Sequence, residues 1–442
     1  MAIRVGMVSL GCPKNQMDAE LMLAKLEEAG MDLVADAALA EAVIVNTCGF
    51  IGDAKQEAIE TILELAQLKK EGQIRKLIVT GCLAERYKNE IAKELPECDA
   101  VLGLGANADI AAVVEQVMHG ETVYAFPTRD SWSLDGNRVQ TTPHFFAYMR
   151  VGDGCNNRCT YCAIPLIRGG LRSREEEALV EEATALAQNG VKELILVAQD
   201  TTLYGVDRYG EKRLPSLLRR LCAVDGIEWI RLLYCYPEHI TDELLSLMAE
   251  EPKIAKYMDI PLQHASGRVL KAMNRPGDRA SLTALLRRIR ETVPGITLRT
   301  TVMTGFPGET DEDFEELCEF LQEVRFERLG CFAYSAEEGT KAAEMPDQID
   351  EDVKENRREI VMQQQARISQ EWLEAQVGKT VRVLVESYDR YAECWFGRTE
   401  SDAPDIDGKV FFSTEKELVP GDMVNVEIID YMDWDLMGVC AE

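Results

Sequence analysis

The chain has 442 residues, 46% hydrophobic and 28% charged, which excludes a single small module and a disordered polymer and leaves room for several domains with cores of their own. Its 48 Lys and Arg stand against 77 Asp and Glu, a net charge of −29 that disfavours phosphate backbones and anionic lipid and favours a basic partner. The first residues, through Gln16, lack the charged and apolar regions of a secretory signal, and no window reaches 18 unbroken apolar residues, so the expected location is the cytoplasm. Ser9-Leu10-Gly11-Cys12 has the look of a lipoprotein cleavage site, but the apolar run before it is too short to engage export. Thirteen cysteines in a reducing compartment point to metal ligation or catalysis rather than disulfides.

Up to about His119 the pattern alternates as βαβα. Strands are predicted over 3–10, 42–45 and 77–79, with helices over 16–29, stopped by Gly30, and over 53–70; an open, doubly wound parallel sheet follows. Residues 120–143 have no sustained periodicity and read as a linker. From His144 to Gln376, strands near 146–151, 193–197, 229–233, 257–260, 298–303 and 329–333 alternate with helical segments, which predicts a complete or partial (β/α) barrel with a long charged helix over 350–376 trailing it. Residues 377–442 change to Val-rich alternation broken by Gly and Pro and predict a small β-barrel. That segment holds 6 basic and 15 acidic residues, net −9. The fold class is therefore α/β multidomain, with divisions at 1–119, 120–143, 144–376 and 377–442.

Gly154-Cys155-Asn156-Asn157-Arg158-Cys159-Thr160-Tyr161-Cys162 places a C-x3-C-x2-C triplet directly after the first barrel strand. Zinc normally draws four protein ligands, and no fourth Cys or His lies nearby, whereas three thiolates suit an iron–sulfur cubane that leaves one iron open to another ligand. Cys12, Cys48 and Cys82 each follow a predicted parallel strand of the first domain. Those strand ends share the edge of the sheet where ligands bind, so these three also converge on a candidate second cluster. The seven other cysteines show no shared spacing and read as packed thiols. His119, His144, His239 and His264 are too scattered to form a metal site.

The C-x3-C-x2-C motif resembles that of the radical S-adenosylmethionine (SAM) superfamily, in which the open iron chelates SAM and an electron cleaves it to a 5′-deoxyadenosyl radical. With the N-terminal cysteines and the terminal β-barrel, the whole chain resembles the methylthiotransferase family: an N-terminal cluster domain, a radical SAM partial barrel and a TRAM domain. Cys162-Ala163-Ile164-Pro165, Arg168-Gly169, Arg172-Ser173-Arg174, the segment from Val197 to Gly205 and the tail segment from Phe396 to Gly408 look like the RimO-type branch. That branch modifies a β-carbon of aspartate in ribosomal protein S-twelve, a post-translational methylthiolation. A MiaB-like tRNA methylthiotransferase with the same two-cluster chemistry is the alternative; the net charge of −9 on the last segment favours the basic protein substrate.

The resemblance implies two 4Fe–4S clusters, one on Cys12, Cys48 and Cys82 and one, which binds SAM, on Cys155, Cys159 and Cys162. SAM serves as radical source and as methyl donor. No catalytic side chain beyond the cluster ligands is expected. Gln199, Asp200, Gln263 and Arg299 are candidate SAM contacts, His264 a ribose or substrate contact, and the segment from Thr304 to Glu309 lies beside the adenine. Arg168, Arg172 and Arg174 are candidates for steering an acidic side chain or SAM, or for local salt bridges. The implied partners are ribosomal protein S-twelve and an electron donor such as flavodoxin or ferredoxin; a membrane and a direct tRNA substrate are not expected. A non-catalytic electron carrier would need fully ligated clusters, and a zinc-dependent adaptor would purify with zinc and no iron.

Overall fold

The computed structural model describes residues 2–441 and divides them into two compact units. One comprises everything up to Thr141 together with Gly152–Arg174 and Glu337–Thr340; the other comprises Thr142–Val151, Glu175–Ala336 and the chain from Lys341 onward.

The first unit is built on a sheet of β1 (Arg4–Ser9), β2 (Asp32–Val34), β3 (Ala42–Thr47), β4 (Lys76–Gly81), β5 (Ala100–Leu102) and β6 (Val123–Ala125). All neighbours are parallel, in the order β2-β1-β3-β4-β5-β6. Alternate residues face opposite sides of a strand. Accordingly Val5, Ile44, Ile78 and Leu102 join one apolar core with helices α1 (Pro13–Glu28) and α4 (Ile110–Met118), while Val43, Val45, Leu77, Val79 and Val101 join a second with α2 (Gly52–Lys70) and α3 (Cys82–Glu94). Burial on both faces is why these strands read as continuous Val and Ile runs. The strand order reverses between β1 and β3, and a crevice at such a switch point is the usual ligand site of an open α/β sheet.

Of the stretch 120–143, read as a linker, residues 120–141 are part of this unit. Val123–Ala125 forms the edge strand, and Trp132 is buried in the first core with its indole N–H donating to Asp18 Oδ1 at 3.0 Å. Arg138 pairs with Glu20 at 2.8 Å. Three-residue strands and an isolated Trp carry too little periodicity to be recognised in the sequence.

The second unit contains six parallel strands, β7 (Phe146–Arg150), β10 (Glu193–Val197), β11 (Trp229–Leu232), β12 (Ile254–Gln263), β13 (Thr297–Thr304) and β14 (Arg328–Ala333). The intervening β8 (Gly152–Asp153) and β9 (Arg172–Ser173) pair with each other in the first unit. The sheet runs in sequence order with β7 and β14 at its edges, a partial rather than a closed (β/α) barrel. A helix over Glu351–Glu374 follows, and its Leu373 joins the core of a closed five-stranded barrel, β15 (Thr380–Asp389), β16 (Cys394–Arg398), β17 (Val410–Ser413), β18 (Met423–Met432) and β19 (Asp435–Cys440). No helix among the described residues is long and apolar enough to cross a membrane.

From Arg398, at the end of β16, the small barrel sends a loop to residues at or near the start of several parallel strands, Glu193, Tyr257, Thr297 and Arg328 among them. Arg231 and Arg398 share Glu193, at 2.7 Å each, and Arg328 pairs with Asp402 at 2.5 Å. Tyr257 donates its hydroxyl to Asp407 at 2.7 Å, and Thr297 and Ser401 are hydrogen-bonded. Buried ions of this kind persist when each is paired. The loop thus fastens the small barrel to the N-terminal ends of the strands and leaves their C-terminal ends, the functional face of this architecture, to other residues.

Candidate iron–sulfur and SAM sites

The turns after β1, β3 and β4 carry Cys12, Cys48 and Cys82, and glycine lets them crowd together. Gly11 has φ +88°, and a Cβ there would lie 2.8 Å from Cys48 Sγ. Gly81 has φ +98°, and a Cβ would lie 2.5 Å from both N and O of Thr47. A Cβ on Gly49 would meet the backbone of Leu83 at 2.7 Å. Cys12 occupies the N-cap of α1 without using its thiol as a cap, with Pro13 supplying the fixed first turn, and Cys82 opens α3.

Asn15, fully buried, ties the turns together. Its Nδ2 donates to Leu10 O (2.7 Å), Asn46 O (3.2 Å) and Thr47 O (3.3 Å), and Asn46 Nδ2 donates back to Asn15 O (2.7 Å). Thr47 Oγ1 donates to Thr80 O (2.6 Å), which joins β3 to β4 at their ends. Arg86 donates to Gly49 O (2.9 Å) and pairs with Glu337 (2.6 Å), so the turn after Cys48 is also held by a segment from after β14. Burial pushes the Cys82 thiol up to about 12, with Arg168 lowering it and Cys12 and Cys48 raising it, and pushes the Cys48 thiol upward against the backbone N–H groups of Phe50 and Gly49, with Cys12 raising it further. A cation binding here displaces those protons as it binds.

Cys155, Cys159 and Cys162 lie in a loop of the same unit, closed at its base by β8 and β9. Gly154, at φ +76°, leaves no room for a side chain: a Cβ would be 2.1 Å from Gly170 O. Cys155 N donates to Gly169 O at 3.0 Å, and Asn156 Oδ1 accepts from Leu171 N at 3.2 Å. Two thiols already accept backbone N–H groups, Cys155 Sγ from Asn157 (3.5 Å) and Cys162 Sγ from Ile164 (3.4 Å), the arrangement that stabilises a thiolate. Cys82 packs with Leu104, Ala163 and Ile167, so the second triplet's exit touches the first triplet's third cysteine.

All thirteen cysteines are free thiols. No three of the described Cys, His, Asp and Glu side chains are close enough to share one ion. A zinc site needs every ligand within about 2.3 Å of a single metal, whereas a cubane offers each thiolate its own iron. The donor sets, all sulfur and three at a time, fit iron–sulfur clusters with one open iron each.

Of the other sequence candidates, Gln199 and Asp200 follow β10, with Asp200 Oδ1 accepting from Thr202 N (3.1 Å) and Oγ1 (2.5 Å). Gln263 ends β12 at φ +74°, a conformation that costs a non-glycine residue of order 1–3 kcal/mol and concentrates at ligand sites. Arg299 lies elsewhere: near the start of β13, its guanidinium is held by Asp259 (3.0 Å) with Asp407 at 3.7 Å, away from the strand's C-terminal end. These two carboxylates fix the guanidinium of the residue expected to meet the SAM carboxylate. His264 is fully buried, with Nδ1 accepting from Ser266 N (3.0 Å) and Nε2 against Glu309 (3.3 Å). Glu309 in turn accepts from Gly305 N at 3.0 Å and pairs with Arg357 at 2.6 Å, which fixes the turn after β13. The three arginines resolve as salt bridges: Arg168 with Asp18 and Asp153, Arg172 with Asp130 and Asp153, Arg174 with Asp135. Asn15 and Asp18 were not singled out in the sequence; both sit on the first helix after a Gly-Cys pair, which is the signal that could have drawn attention to them.

The chain matches the uncharacterized protein family UPF0004 over residues 4–103, the radical SAM superfamily over 149–321 and the TRAM domain over 377–441. Its fold resembles that of the radical SAM methyltransferase TsrM from Kitasatospora setae, solved with cobalamin and a 4Fe–4S cluster (TM-score 0.55, 15% identity, 75% of each chain). It is 48% identical to the ribosomal protein uS12 methylthiotransferase RimO of Lachnoclostridium phytofermentans over 99% of both chains, and 49% identical to that of Anaeromyxobacter over 99% of this chain and 93% of the other. With identity at that level running from end to end across all three matched regions, the chain belongs to the ribosomal protein uS12 methylthiotransferase family.

Proposed function

We propose that the chain inserts a methylthio group at the β-carbon of an aspartate in ribosomal protein uS12. The observation that carries the reading is the occurrence, in one compact unit, of two separate three-cysteine sets, each too small to complete a cubane and therefore suited to leaving one iron open. When bound, two 4Fe–4S clusters and SAM supply the one-electron cleavage, the sulfur and the methyl group, for which no side chain substitutes.

The residues of the chain do the holding. Cys155, Cys159 and Cys162 take the cluster that binds SAM, with Gly154 and the pairing of β8 and β9 fixing their loop. Cys12, Cys48 and Cys82 take the other, with Asn15 locking the three turns. Asp200, oriented by Thr202, and Gln199 and Gln263 at their strand ends are assigned to SAM. The TRAM segment, net −9, is assigned to docking the basic protein substrate, because rim charges of opposite sign steer encounter. The electron comes from an external one-electron donor of the flavodoxin or ferredoxin class.

Mass spectrometry of two substrates tests the assignment: a peptide from the aspartate loop of uS12 and bulk tRNA, each incubated anaerobically with reconstituted protein, SAM, sulfide and a strong reductant. The expected result is a methylthio increment on the peptide alone. An increment on tRNA alone would move the chain to the tRNA-modifying branch and leave the two-cluster chemistry standing.

A further inference from the structure

Arg168 lies just past Cys162 in sequence and is 3% exposed. Its Nη2 donates to Asp18 Oδ2 (2.8 Å), Asn15 Oδ1 (3.3 Å) and the sulfur of Cys82 (3.4 Å), and its Nη1 donates to Asp153 Oδ1 (3.2 Å). We propose that Arg168 is a positioning residue for the N-terminal cluster that makes this cluster easier to reduce, by directing a buried guanidinium N–H at the sulfur of its ligand Cys82. The proposal rests on the assignment of Cys12, Cys48 and Cys82 as cluster ligands.

Two carboxylates already satisfy the demand of a buried cation for partners, so a purely mechanical clamp does not require a donor turned toward sulfur. A neutral thiol is a weak acceptor, whereas a thiolate ligand is a charged one and makes the stronger bond. Asp18, Asn15 and Cys82 share the two N–H groups of Nη2 while Nη1 reaches Asp153, so the planar fork spans both sets at once; an ammonium, a single nitrogen on a flexible stem, does not hold both in a fixed arrangement. Reduction adds one negative charge to a cluster in a poorly polarisable interior, and both the positive charge and the N–H···S bond favour the state that carries it. Since Arg168 also anchors Asp153 at the base of the Cys155–Cys162 loop, the order of that loop and the electron affinity of the other cluster depend on one side chain.

The test is a redox titration of the full chain with both clusters reconstituted, followed by electron paramagnetic resonance, comparing the parent with Arg168→Gln and Arg168→Lys. A Cys155→Ala, Cys159→Ala, Cys162→Ala chain identifies which signal belongs to the N-terminal cluster. At the potential where the parent's N-terminal cluster is half reduced, the reduced-to-oxidised ratio in Arg168→Gln is expected to fall about tenfold, which is about 59 mV for a one-electron couple. Arg168→Lys, which keeps the charge and loses the fork, is expected to fall between. Equal midpoints in parent and variants at equal iron content would reduce Arg168 to a clamp and overturn the proposal. Should Arg168→Gln not load iron, the Lys variant decides by the same criterion. If a Cys12→Ala, Cys48→Ala, Cys82→Ala chain binds as much iron as the parent, the cluster assignment itself fails, independently of any midpoint.

Discussion

Cys155, Cys159 and Cys162 fall within eight consecutive residues, while Cys12, Cys48 and Cys82 come from three turns 36 and 34 residues apart. The local set is shaped by its own backbone: a left-handed glycine, an Asn that accepts from Leu171, and N–H groups aimed at two sulfurs. The dispersed set exists because β1, β3 and β4 are parallel neighbours that end at one edge, and because Gly11, Gly49 and Gly81 let backbones meet where a side chain would separate them. One site is therefore written in a motif and the other in a topology. Damage to the sheet edge should erase the second and spare the first.

Removing one ligand from each set gives the largest contrast. Cys159→Ala should abolish reductive SAM cleavage, read as deoxyadenosine by chromatography, together with all product. Cys48→Ala should keep deoxyadenosine formation within a few-fold of the parent, as an order-of-magnitude expectation for an intact SAM site, and lose the methylthio product. Methylthiolation surviving in both variants would end the two-cluster account.

Gly81→Ala attacks the topology without touching a ligand. The new Cβ would press on Thr47 N and O at 2.5 Å, and both are backbone atoms with nowhere to go. The left-handed backbone alone costs an alanine about 1–3 kcal/mol. Iron per chain should fall from about eight to about four, with the electron paramagnetic resonance signal of the Cys155–Cys162 site retained. Full iron loading would show that the close approach is not needed.

The same contrast governs what the sequence disclosed. The strand over Glu193–Val197 and the helix over 53–70 were legible to within a residue, because long apolar runs and a sustained 3.6 period dominate their neighbours. The strands at Asp32–Val34, Ala100–Leu102 and Val123–Ala125 were not, since three residues carry no period. Cys12, Cys48 and Cys82 could be grouped once the strands were drawn. Asn15 could not, because its value lies in reaching carbonyls at Leu10, Asn46 and Thr47, a fact of register rather than composition. Arg299 could be named for its chemistry, but its neighbour Asp407 comes from the terminal segment, beyond any local pattern.

Asn15→Ala tests whether the amide or the glycines hold the dispersed turns. Its loss leaves three carbonyls without this donor, at a cost of about 1–3 kcal/mol, and adds no clash. A lowered melting temperature with most N-terminal iron retained is expected; an unchanged melting curve would mean that the glycine contacts alone fix the turns.

The smallest effect should come from Cys98→Ala, which separates ligation from burial. Cys98 and Cys82 are alike in one respect: burial pushes both thiols up to about 12. Their neighbours differ. Cys82 feels Cys12, Cys48 and Arg168, whereas Cys98 sits in the core shared with Leu77, Val79 and Ile91 and feels Lys69, Glu97 and Asp99. A thiol alone among apolar side chains behaves as a small hydrophobe. Replacing it by Ala leaves a cavity smaller than a methyl-scale deletion usually does and costs about 1 kcal/mol, a fall in melting temperature of about 2–4 °C for a domain of this size. Iron content and product yield should be unchanged. A loss of iron from Cys98→Ala would mean that the ligand set of the N-terminal cluster extends beyond the three turns, and that convergence at the sheet edge is not what selects its cysteines.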